Sequence, residues 1–362
     1  MYGMGINYDY IEKRIRACDY LTVAQLFLQD DFLLERPLSF SNIKPRLLGH
    51  WGTCHGINVA YAHLKSFFDD NFQFVLGPGH GFPALQANLF LDGDLLKVDS
   101  KAQRNIQGLA YICRNFSWPS GFPSHASPMT PGVISEGGEL GYALATAYGA
   151  ALGHPEKNIA VLIGDGEFET ATALASMNLV KLVGTSKNGN VIPILHLNGY
   201  KISAPTIYAR KSERELMSLI RGFGYTPILV DGEDPEAFQI ALANIYSTYG
   251  INQFASANGQ SNYANSQNVS ANIYNASANV ENANVNNKDA YPVQNPFIIM
   301  KTEKGATGPE YVNGKKVEGN YLAHQIPLKN AKTDKNELGI LETWLKSYNF
   351  GQLFNDTEGF TL

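Results

Sequence analysis

Short apolar runs alternate with helix-compatible segments along most of the chain. Residues 159–163 and 191–197 are apolar runs that predict buried strands, and a helix-compatible segment lies between them. Residues 72–76, 227–230 and 297–300 predict further strands in the same way. Because strand–helix–strand alternation builds parallel sheets, we predict an α/β fold with a doubly wound, mainly parallel sheet and helices on both faces.

The same pattern predicts where the sheet domain begins and ends. Residues 1–20 show no clear apolar period, so we predict an irregular segment on the surface, followed by a helix that starts at Thr22 and stops before Pro37. One α/β domain is predicted over residues 21–345. We predict that residues 346–362 form a tail leading toward a second domain absent from this chain.

Residues 252–290 differ in kind from the rest of the chain. Asn, Ala, Ser and Gln dominate the segment, and Asn alone supplies about a third of it. Such a polar tract buries too little apolar surface to offset the entropy lost on ordering. We therefore predict a disordered insertion in the domain, and favour a passive loop over a self-association segment.

Composition and charge narrow the function classes. A hydrophobic content of 44% indicates a globular protein, and a formal net charge of -5 argues against nucleic acid as a partner. There is no apolar stretch of about 18 residues and no basic-then-apolar leader, so we expect a cytoplasmic protein that does not contact the membrane. Cys18, Cys54 and Cys113 have unrelated spacings, which indicates reduced thiols.

Two neighbouring strand ends carry the most informative polar residues. Gly164-Asp165-Gly166-Glu167 follows one apolar run, and Asn198-Gly199-Tyr200 follows the next. Parallel strands place their carboxyl ends at one sheet edge, where a carboxylate and an amide oxygen suit Mg²⁺ and, with it, a diphosphate. The glycines would let the backbone approach the anion, and the amides opening the helix at Glu167 would point toward it. The alternative is an Asp-Gly turn without a ligand.

Other candidate residues lie at the same predicted edge. His80 stands between glycines after a strand, where a ligand-binding residue is favoured over a plain tight turn, and Lys304 follows the last strand. Residues 116–141 predict a long ordered loop that presents His125. For the segment around His50, with its neighbouring basic residues and glycines, functional and structural interpretations are equally supported.

Eight motifs along the chain belong together: GHWGT (49–53), GPGHG (77–81), PSHASPMTPG (123–132), EGGELGY (136–142), GDGE (164–167), LHLNGYKI (195–202), KGATGP (304–309) and AHQIPL (323–328). In this order they resemble the N-terminal part of phosphoketolases. These enzymes cleave xylulose 5-phosphate or fructose 6-phosphate with phosphate to give acetyl phosphate and an aldose phosphate. The resemblance runs from about residue 20 to residue 354 and is interrupted by the Asn-rich segment.

The resemblance implies a thiamine diphosphate-binding fold and a set of site residues. GDG followed by Asn is similar to the motif with which such enzymes hold Mg²⁺ against the diphosphate, so the implied metal ligands are Asp165, Asn198 and the carbonyl of Tyr200. The implied catalytic residues are His50, His80, His125 and His324. The implied cofactor-binding residues are His80, Gly138, Glu139, Leu140, Gly164, Asp165, Gly166, Glu167, Asn198 and Lys304.

Two departures from the family pattern affect what the resemblance implies. Cys54-His55 stands where the family usually has Thr-Pro. The pyrimidine-binding domain, with the glutamate that activates the cofactor, has no counterpart in this chain. The resemblance therefore implies a homo-oligomer or a complex with a chain that supplies this domain, besides the substrates, a sugar phosphate and inorganic phosphate. The alternatives are a non-catalytic cofactor-binding relic and a transketolase-like component.

Overall fold

The structure is a computed structural model that describes residues 6–183, 187–249, 295–355 and 359–361. The predicted disordered insertion at residues 252–290 lies outside the described residues.

A five-stranded parallel sheet forms the centre of the molecule, with strand order β1-β2-β3-β5-β4. Its strands are rich in Val, Ile and Leu and are largely buried, as expected for a parallel sheet covered on both faces. The strands are β1 (Gln73–Leu76), β2 (Asn158–Gly164), β3 (Asn190–Leu197), β4 (Thr226–Asp231) and β5 (Pro296–Lys301). Two small antiparallel pairs are β6 (Tyr311–Val312) with β7 (Lys315–Lys316) and β8 (Phe354–Asn355) with β9 (Gly359–Phe360).

Helices cover both faces of this sheet. Alternate residues of β2 belong to two separate cores: Ala160 and Leu162 pack with one set of helices, and Val161 packs with the other. The first set is α1 (Tyr8–Phe27), α2 (Cys54–Phe68), α3 (Phe82–Asp92), α4 (Ile106–Asn115), α8 (Pro235–Tyr249) and α9 (Lys335–Ser347). The second set is α5 (Ala143–Gly153), α6 (Ala171–Ser176) and α7 (Glu213–Gly222). The predicted doubly wound α/β fold is confirmed.

The N-terminal segment corrects the prediction that residues 1–20 are irregular. Residues 8–20 form the first part of α1, which ends at Phe27 and not near Glu35. Residues 17–27 of α1 are buried on every side, so this half of the helix shows no amphipathic period. Two charged residues of α1 are paired inside the protein: Arg14 forms a 2.8 Å ion pair with Asp92, and Asp19 lies 2.7 Å from His55. These polar positions concealed the helix in the sequence.

The helix expected after the GDGE motif is also shorter than its pattern suggested. Residues 165–170 form turns, α6 begins after Thr170, whose side chain accepts a hydrogen bond from the Ala173 amide, and a 3-10 helix (Met177–Lys181) follows α6. The side chains of Asp165 and Glu167 bond to backbone amides in this region, so turns replace the first helical turns.

The C-terminal residues fold back onto the domain. Phe350 stacks on Tyr20 of α1 with ring centroids 4.0 Å apart, and Leu353 and Phe354 are buried. These side chains belong to the same core as α1 and α9. That the tail leads toward a further domain stays a prediction.

Among the described helices, none combines the length and apolar character that a bilayer span requires.

Candidate active site

Asp165 joins the ends of β2 and β3. Its Oδ2 accepts hydrogen bonds from the Gly199 amide (2.7 Å) and the Thr206 hydroxyl (3.1 Å), and its Oδ1 accepts one from the Gly166 amide (2.9 Å). The register of the two strands pairs Gly164 with His196, so both ends lie at one sheet edge. The carboxylate thereby fixes the turn after β3 against the end of β2.

The other two predicted metal ligands lie in that same turn. The Asn198 side-chain oxygen accepts from the Tyr200 amide at 3.2 Å, and the Tyr200 carbonyl accepts from the Lys304 ammonium at 2.8 Å. Asp165, Asn198 and Tyr200 therefore belong to one hydrogen-bonded unit. Lys304 lies just after the end of β5, and its ammonium is bound to the Tyr200 carbonyl, one of the three predicted ligand oxygens.

Burial shifts the pKa of both charged groups in this unit toward neutrality. Burial raises the pKa of Asp165 to about 6, opposed by the Gly199 amide and the Lys304 ammonium. Burial lowers the pKa of Lys304 to about 8, opposed by Asp165. The carboxylate and the ammonium are therefore both charged mainly in the narrow pH range between these two pKa values.

The donor set of this unit suits a hard divalent cation. In the described part of the chain, no three His, Cys, Asp or Glu side chains are arranged to hold a metal ion, so an ion here depends on amide and carbonyl oxygens beside Asp165. Such mixed oxygen donors are typical of Mg²⁺ sites that leave positions for phosphate oxygens. A nearby ammonium is a suitable partner for those phosphates. The residues present fit Mg²⁺ and a diphosphate.

Glu167 directs its carboxylate into the protein. Oε1 accepts from the Gly141 amide at 3.1 Å and Oε2 from the Gly164 amide at 3.2 Å, while burial raises the pKa of this group to about 7. A Cβ on Gly77 would lie 2.0 Å from Oε2. The Glu167 side chain therefore connects the residues before α5 with the ends of β1 and β2. Because the carboxylate is used in these contacts, the backbone of Glu167 is the part that a ligand could contact.

The four histidines of the predicted site lie together. His50 is central: its ring centroid is 4.8 Å from that of His80, 5.2 Å from that of His324 and 5.7 Å from that of His125. The rings of His80 and His324 are 4.9 Å apart. We call these four residues the histidine cluster. Chain segments separated by more than 200 residues converge in it.

Close backbone packing positions two members of the cluster. The Ala126 amide donates to the Gly79 carbonyl and the Gly137 amide to the Ala126 carbonyl, both at 2.9 Å, so the segments with His80 and His125 are adjacent. A Cβ on Gly79 would lie 2.2 Å from the Gly137 carbonyl oxygen, which explains the glycines beside His80.

The segment from Gly138 to Leu140 follows this packed region. The Gly138 amide donates to the Glu136 carboxylate at 3.0 Å, whereas Glu139 and Leu140 are exposed. Their predicted cofactor contacts stay predictions.

Three cluster histidines, His50, His80 and His324, are neutral at neutral pH because burial lowers the pKa of each ring. Burial, followed by the neighbouring His125 and Lys304, lowers the pKa of His50 to about 4. Burial and Lys304 lower the pKa of His324 to about 3, and burial and His50 hold the pKa of His80 well below its usual range. Each neutral ring offers one hydrogen-bond donor and one acceptor.

Two ring nitrogens of the cluster are buried without a hydrogen-bond partner among the described residues. They are Nδ1 of His50 and Nδ1 of His324. Buried polar atoms are normally satisfied, so unpaired atoms that face one cluster indicate a place for the polar groups of a ligand. Lys304 lies close enough to lower the pKa of both rings and of Asp165, and its ammonium donates to the Tyr200 carbonyl, so it stands between the cluster and the predicted metal site.

The departure at Cys54-His55 leaves the histidine cluster intact. The Cys54 thiol donates to the His50 carbonyl at 3.1 Å, which supports the backbone of His50. His55 turns toward α1, where its Nδ1 lies 2.7 Å from an Asp19 carboxylate oxygen. Lys44, near the GHWGT motif, is likewise structural: its buried ammonium donates to the carbonyl oxygens of Gln25 and Phe116.

Sequence reasoning missed the buried residues that connect these parts. His196 lies between Thr53 and Thr302 and is within hydrogen-bond distance of both hydroxyls, and Thr206 bonds to Asp165. His196 precedes the Asn198-Gly199 pair by two residues. A polar side chain within an apolar strand was the one available signal.

Apolar side chains are exposed on loops that flank the site. Members come from the loop before α5 and from the turn after β3, and we call them the apolar rim. They are Met129, Ile134, Leu140, Tyr142, Ile202 and Ile207. Ile202 and Ile207 follow Asn198 by four and nine residues, and Leu140 follows Gly138 by two, so the apolar rim adjoins candidate site residues along the chain.

Comparison with protein families and with curated proteins identifies relatives that agree with one another. The family model of the XFP N-terminal domain matches residues 6–361. A "Probable phosphoketolase" of Rhodopseudomonas palustris strain BisB5 is 44% identical over 351 residues, which cover 94% of this chain and 41% of the relative. A "Probable phosphoketolase" of Bradyrhizobium diazoefficiens is 41% identical over 350 residues, which cover 96% of this chain and 41% of the relative.

Solved structures of transketolases share the fold. A transketolase variant from Pichia stipitis superimposes with a TM-score of 0.60 at 15% identity and covers 98% of this chain and 42% of its own. The transketolase of Campylobacter jejuni gives a TM-score of 0.57 at 16% identity, covering 96% of this chain and 48% of its own. The chain thus spans about two fifths of the length of the curated relatives it matches.

Proposed function

Because the chain belongs to the XFP N-terminal domain family, we propose that it is the diphosphate-binding part of a thiamine diphosphate- and Mg²⁺-dependent phosphoketolase. The substrates would be xylulose 5-phosphate or fructose 6-phosphate with inorganic phosphate, and the products acetyl phosphate and an aldose phosphate. The observation that carries this proposal is the convergence of the four histidines, beside Lys304, whose ammonium donates to the Tyr200 carbonyl in the hydrogen-bonded unit around Asp165.

In this proposal the end of β2 and the turn after β3 bind the metal and the diphosphate. Asp165, Asn198 and the Tyr200 carbonyl would hold Mg²⁺, and the Lys304 ammonium would neutralise phosphate charge. Bound thiamine diphosphate supplies carbanion chemistry toward the ketose carbonyl. The protein supplies the charges and hydrogen bonds that orient the reactants.

The histidine cluster would bind the ketose hydroxyl groups. Neutral imidazoles in a buried place donate to one oxygen and accept from another, which orients hydroxyls and passes protons between them. His50, at the centre of the cluster, is the residue on which we expect carbon–carbon cleavage and loss of water to depend most. Its unpaired Nδ1 supports this role.

We further propose that a second polypeptide surface completes the site. The matched relatives are more than twice as long as this chain, and the apolar rim lies beside the candidate site. The partner would be a chain that carries the pyrimidine-binding domain, or a second copy within a homo-oligomer. A cytoplasmic location fits the three free, buried thiols, because a reducing compartment preserves them.

Acetyl phosphate formation tests the proposed function. The chain is assayed with xylulose 5-phosphate, phosphate, Mg²⁺ and thiamine diphosphate, alone and with a separately expressed C-terminal remainder of a matched relative. We expect product only in the mixture. His50→Asn should reduce the rate on the order of 100-fold or more, and the exposed His154→Asn serves as the matched control that leaves it unchanged.

The outcome separates this function from a cofactor-binding relic. Failure of every mixture to form acetyl phosphate, despite Mg²⁺-dependent binding of thiamine diphosphate, would favour the relic. Glycolaldehyde transfer between sugars without acetyl phosphate would favour a transketolase-like component.

A further inference from the structure

The geometry points to His196 as a positioning residue that fixes the His50 segment and the Lys304 segment onto β3, the strand that leads to Asn198. This inference rests on the proposed function, because it concerns how that site is held in shape. His196 itself touches none of the four cluster rings. It acts through the two segments to which it is bonded.

His196 bridges two hydroxyl groups inside the protein. Its Nδ1 lies 3.1 Å from the Thr53 hydroxyl and its Nε2 lies 2.7 Å from the Thr302 hydroxyl. The side chain is 1% exposed, so water does not compete for either bond. Both ring nitrogens are therefore used in one continuous Thr53–His196–Thr302 link.

Each member of the link stands near a candidate site residue. Thr53 follows His50 by three residues, and Thr302 precedes Lys304 by two. The two outer segments also contact each other directly, since the Gly305 amide donates to the Gly52 carbonyl at 2.9 Å. A displacement of the Thr53 hydroxyl would therefore move His50, and a displacement of the Thr302 hydroxyl would move the Lys304 ammonium.

A glycine in α2 makes room for the ring. A Cβ on Gly56 would lie 2.1 Å from His196 Nε2 and 2.4 Å from its Cε1. Glycine inside a helix is destabilising relative to alanine, so this position lowers the stability of α2 and allows close contact with the imidazole. The contact holds α2 directly against the end of β3.

The chemistry of the ring suits two hydroxyl partners. Each ring nitrogen lies within hydrogen-bond distance of one hydroxyl. A neutral imidazole has one donor and one acceptor, and a hydroxyl can complement either. An apolar side chain of similar size would fill the space but would leave both hydroxyls unbonded.

Substitution of His196 by asparagine or glutamine tests the two hydrogen bonds of the link one at a time. The amide of His196→Asn reaches the place of Nδ1 and can keep the Thr53 bond, whereas that of His196→Gln reaches the place of Nε2 and can keep the Thr302 bond. Thr302→Val and Thr53→Val remove the corresponding hydroxyls with little change in shape. Thr343→Val, which removes an exposed helix hydroxyl bonded to Gly339, is the matched control.

Two measurements on the full chain test the inference. Calorimetry with thiamine diphosphate and Mg²⁺ should show that His196→Asn and Thr302→Val bind on the order of tenfold more weakly, because Lys304 is no longer fixed. His196→Gln, Thr53→Val and Thr343→Val should stay within about threefold of the unchanged chain. Hydrogen exchange at the Gly305 amide should accelerate in all of these variants except Thr343→Val.

The outcomes distinguish this inference from the proposed function. If the unchanged chain binds no thiamine diphosphate, the proposed function fails, and the Gly305 exchange measurement still decides whether His196 joins the segments. If it binds, and His196→Asn binds equally well with a protected Gly305 amide, the inference is overturned. Equal weakening by the Asn and Gln variants would also overturn it, because that result indicates packing alone.

Discussion

At the scale of single residues, the candidate site depends on polar groups that are buried and held by backbone atoms. Asp165 is bound by two amides and one hydroxyl, and Lys304 by one carbonyl. Because burial disfavours charge, the pKa values of these two groups move toward each other. Because backbone atoms hold Asp165 and Lys304, the charged groups of the candidate site are at fixed positions before a ligand binds.

Substitution of Asp165 should remove metal-dependent binding. Asp165→Ala deletes the proposed ligand oxygen, and we expect the Mg²⁺-dependent affinity for thiamine diphosphate to fall by about 100-fold or more, since even outer-sphere partners contribute about 10- to 100-fold. Calorimetry with and without EDTA measures the change. Asp94→Asn, which loses an ion pair with Lys97 at the surface, is the control. Unchanged binding by Asp165→Ala would refute the metal assignment.

His55 should make stability depend on pH. Its pKa is raised from 6.5 to about 10, because the attraction of Asp19 and Glu233 outweighs the effect of burial. A raised pKa in the folded state adds stability that is complete below pH 6.5 and is lost as the pH rises through 10. The charged or titratable groups that face His55 are Asp19, Glu233, Glu318 and His196.

Urea unfolding of the unchanged chain and His55→Asn at several pH values measures this contribution. The difference in unfolding free energy should be on the order of a few kcal/mol at pH 6 and should shrink toward pH 10. Taking the difference removes the opposite trend of Lys44 and Lys304, whose lowered pKa values add stability as the pH rises above 8. A difference that is constant across the range would contradict the ion pair.

At the scale of secondary structure elements, the strand ends carry the candidate site residues and the helices hold these ends in place. The GHWGT segment packs on the KGATGP segment, where the Trp51 indole donates to the Gly305 carbonyl at 3.1 Å. Helix α2 follows directly and contacts β3 at Gly56. The site is therefore as rigid as the packing between α2 and the sheet.

Enlarging Gly56 should separate α2 from β3. Gly56→Ala places a methyl group 2.1 Å from the His196 ring, and we expect destabilisation of about 1–3 kcal/mol from overpacking. Gly339→Ala in α9, where no atom lies within 4 Å of the new methyl group, should stabilise the chain by up to about 1 kcal/mol. Thermal and urea unfolding of both variants gives the comparison. If Gly56→Ala stabilised the chain, the result would show that the His196 ring can move aside without cost and would contradict the prediction.

At the scale of the whole molecule, the apolar rim beside the site is the feature that a single copy leaves open. Ile202 is 68% exposed and Met129 is 92% exposed. Exposed apolar side chains also occur elsewhere, as at Val98 and Leu182, but those of the rim lie on the segments that carry His125 and Asn198. A partner surface that excludes water here would also enclose the histidine cluster. The completed site would then gain electrostatic strength from the lower local dielectric.

A charge placed in the rim should prevent association without affecting the fold. We expect Ile202→Glu to weaken binding to the complementing chain, or to a second copy, by on the order of tenfold or more, because a buried unpaired carboxylate is costly. Val98→Glu, at a 69% exposed position between α3 and α4, is the matched control. Analytical ultracentrifugation measures association, and equal melting temperatures check the fold. Association unaffected by Ile202→Glu would place the interface elsewhere.

The sequence by itself determined the features that depend on neighbouring residues. Apolar runs such as 159–163 identify buried strands, because a strand covered on both faces needs continuous apolar side chains. The motif order indicates the family that the comparisons confirm. The glycine-rich turns after these strands predict a ligand edge, and that ligands bind there stays a prediction.

Only the tertiary structure decided what depends on contacts between distant segments. The helix at residues 8–20 was hidden because its buried charge, Arg14, finds its partners Asp92 and Asn88 far along the chain. The neutral state of His50 and the bonds of His196 come from burial and packing, which no local pattern records. Long-range packing sets the dielectric environment and the hydrogen-bond partners, and these set the chemistry of each side chain.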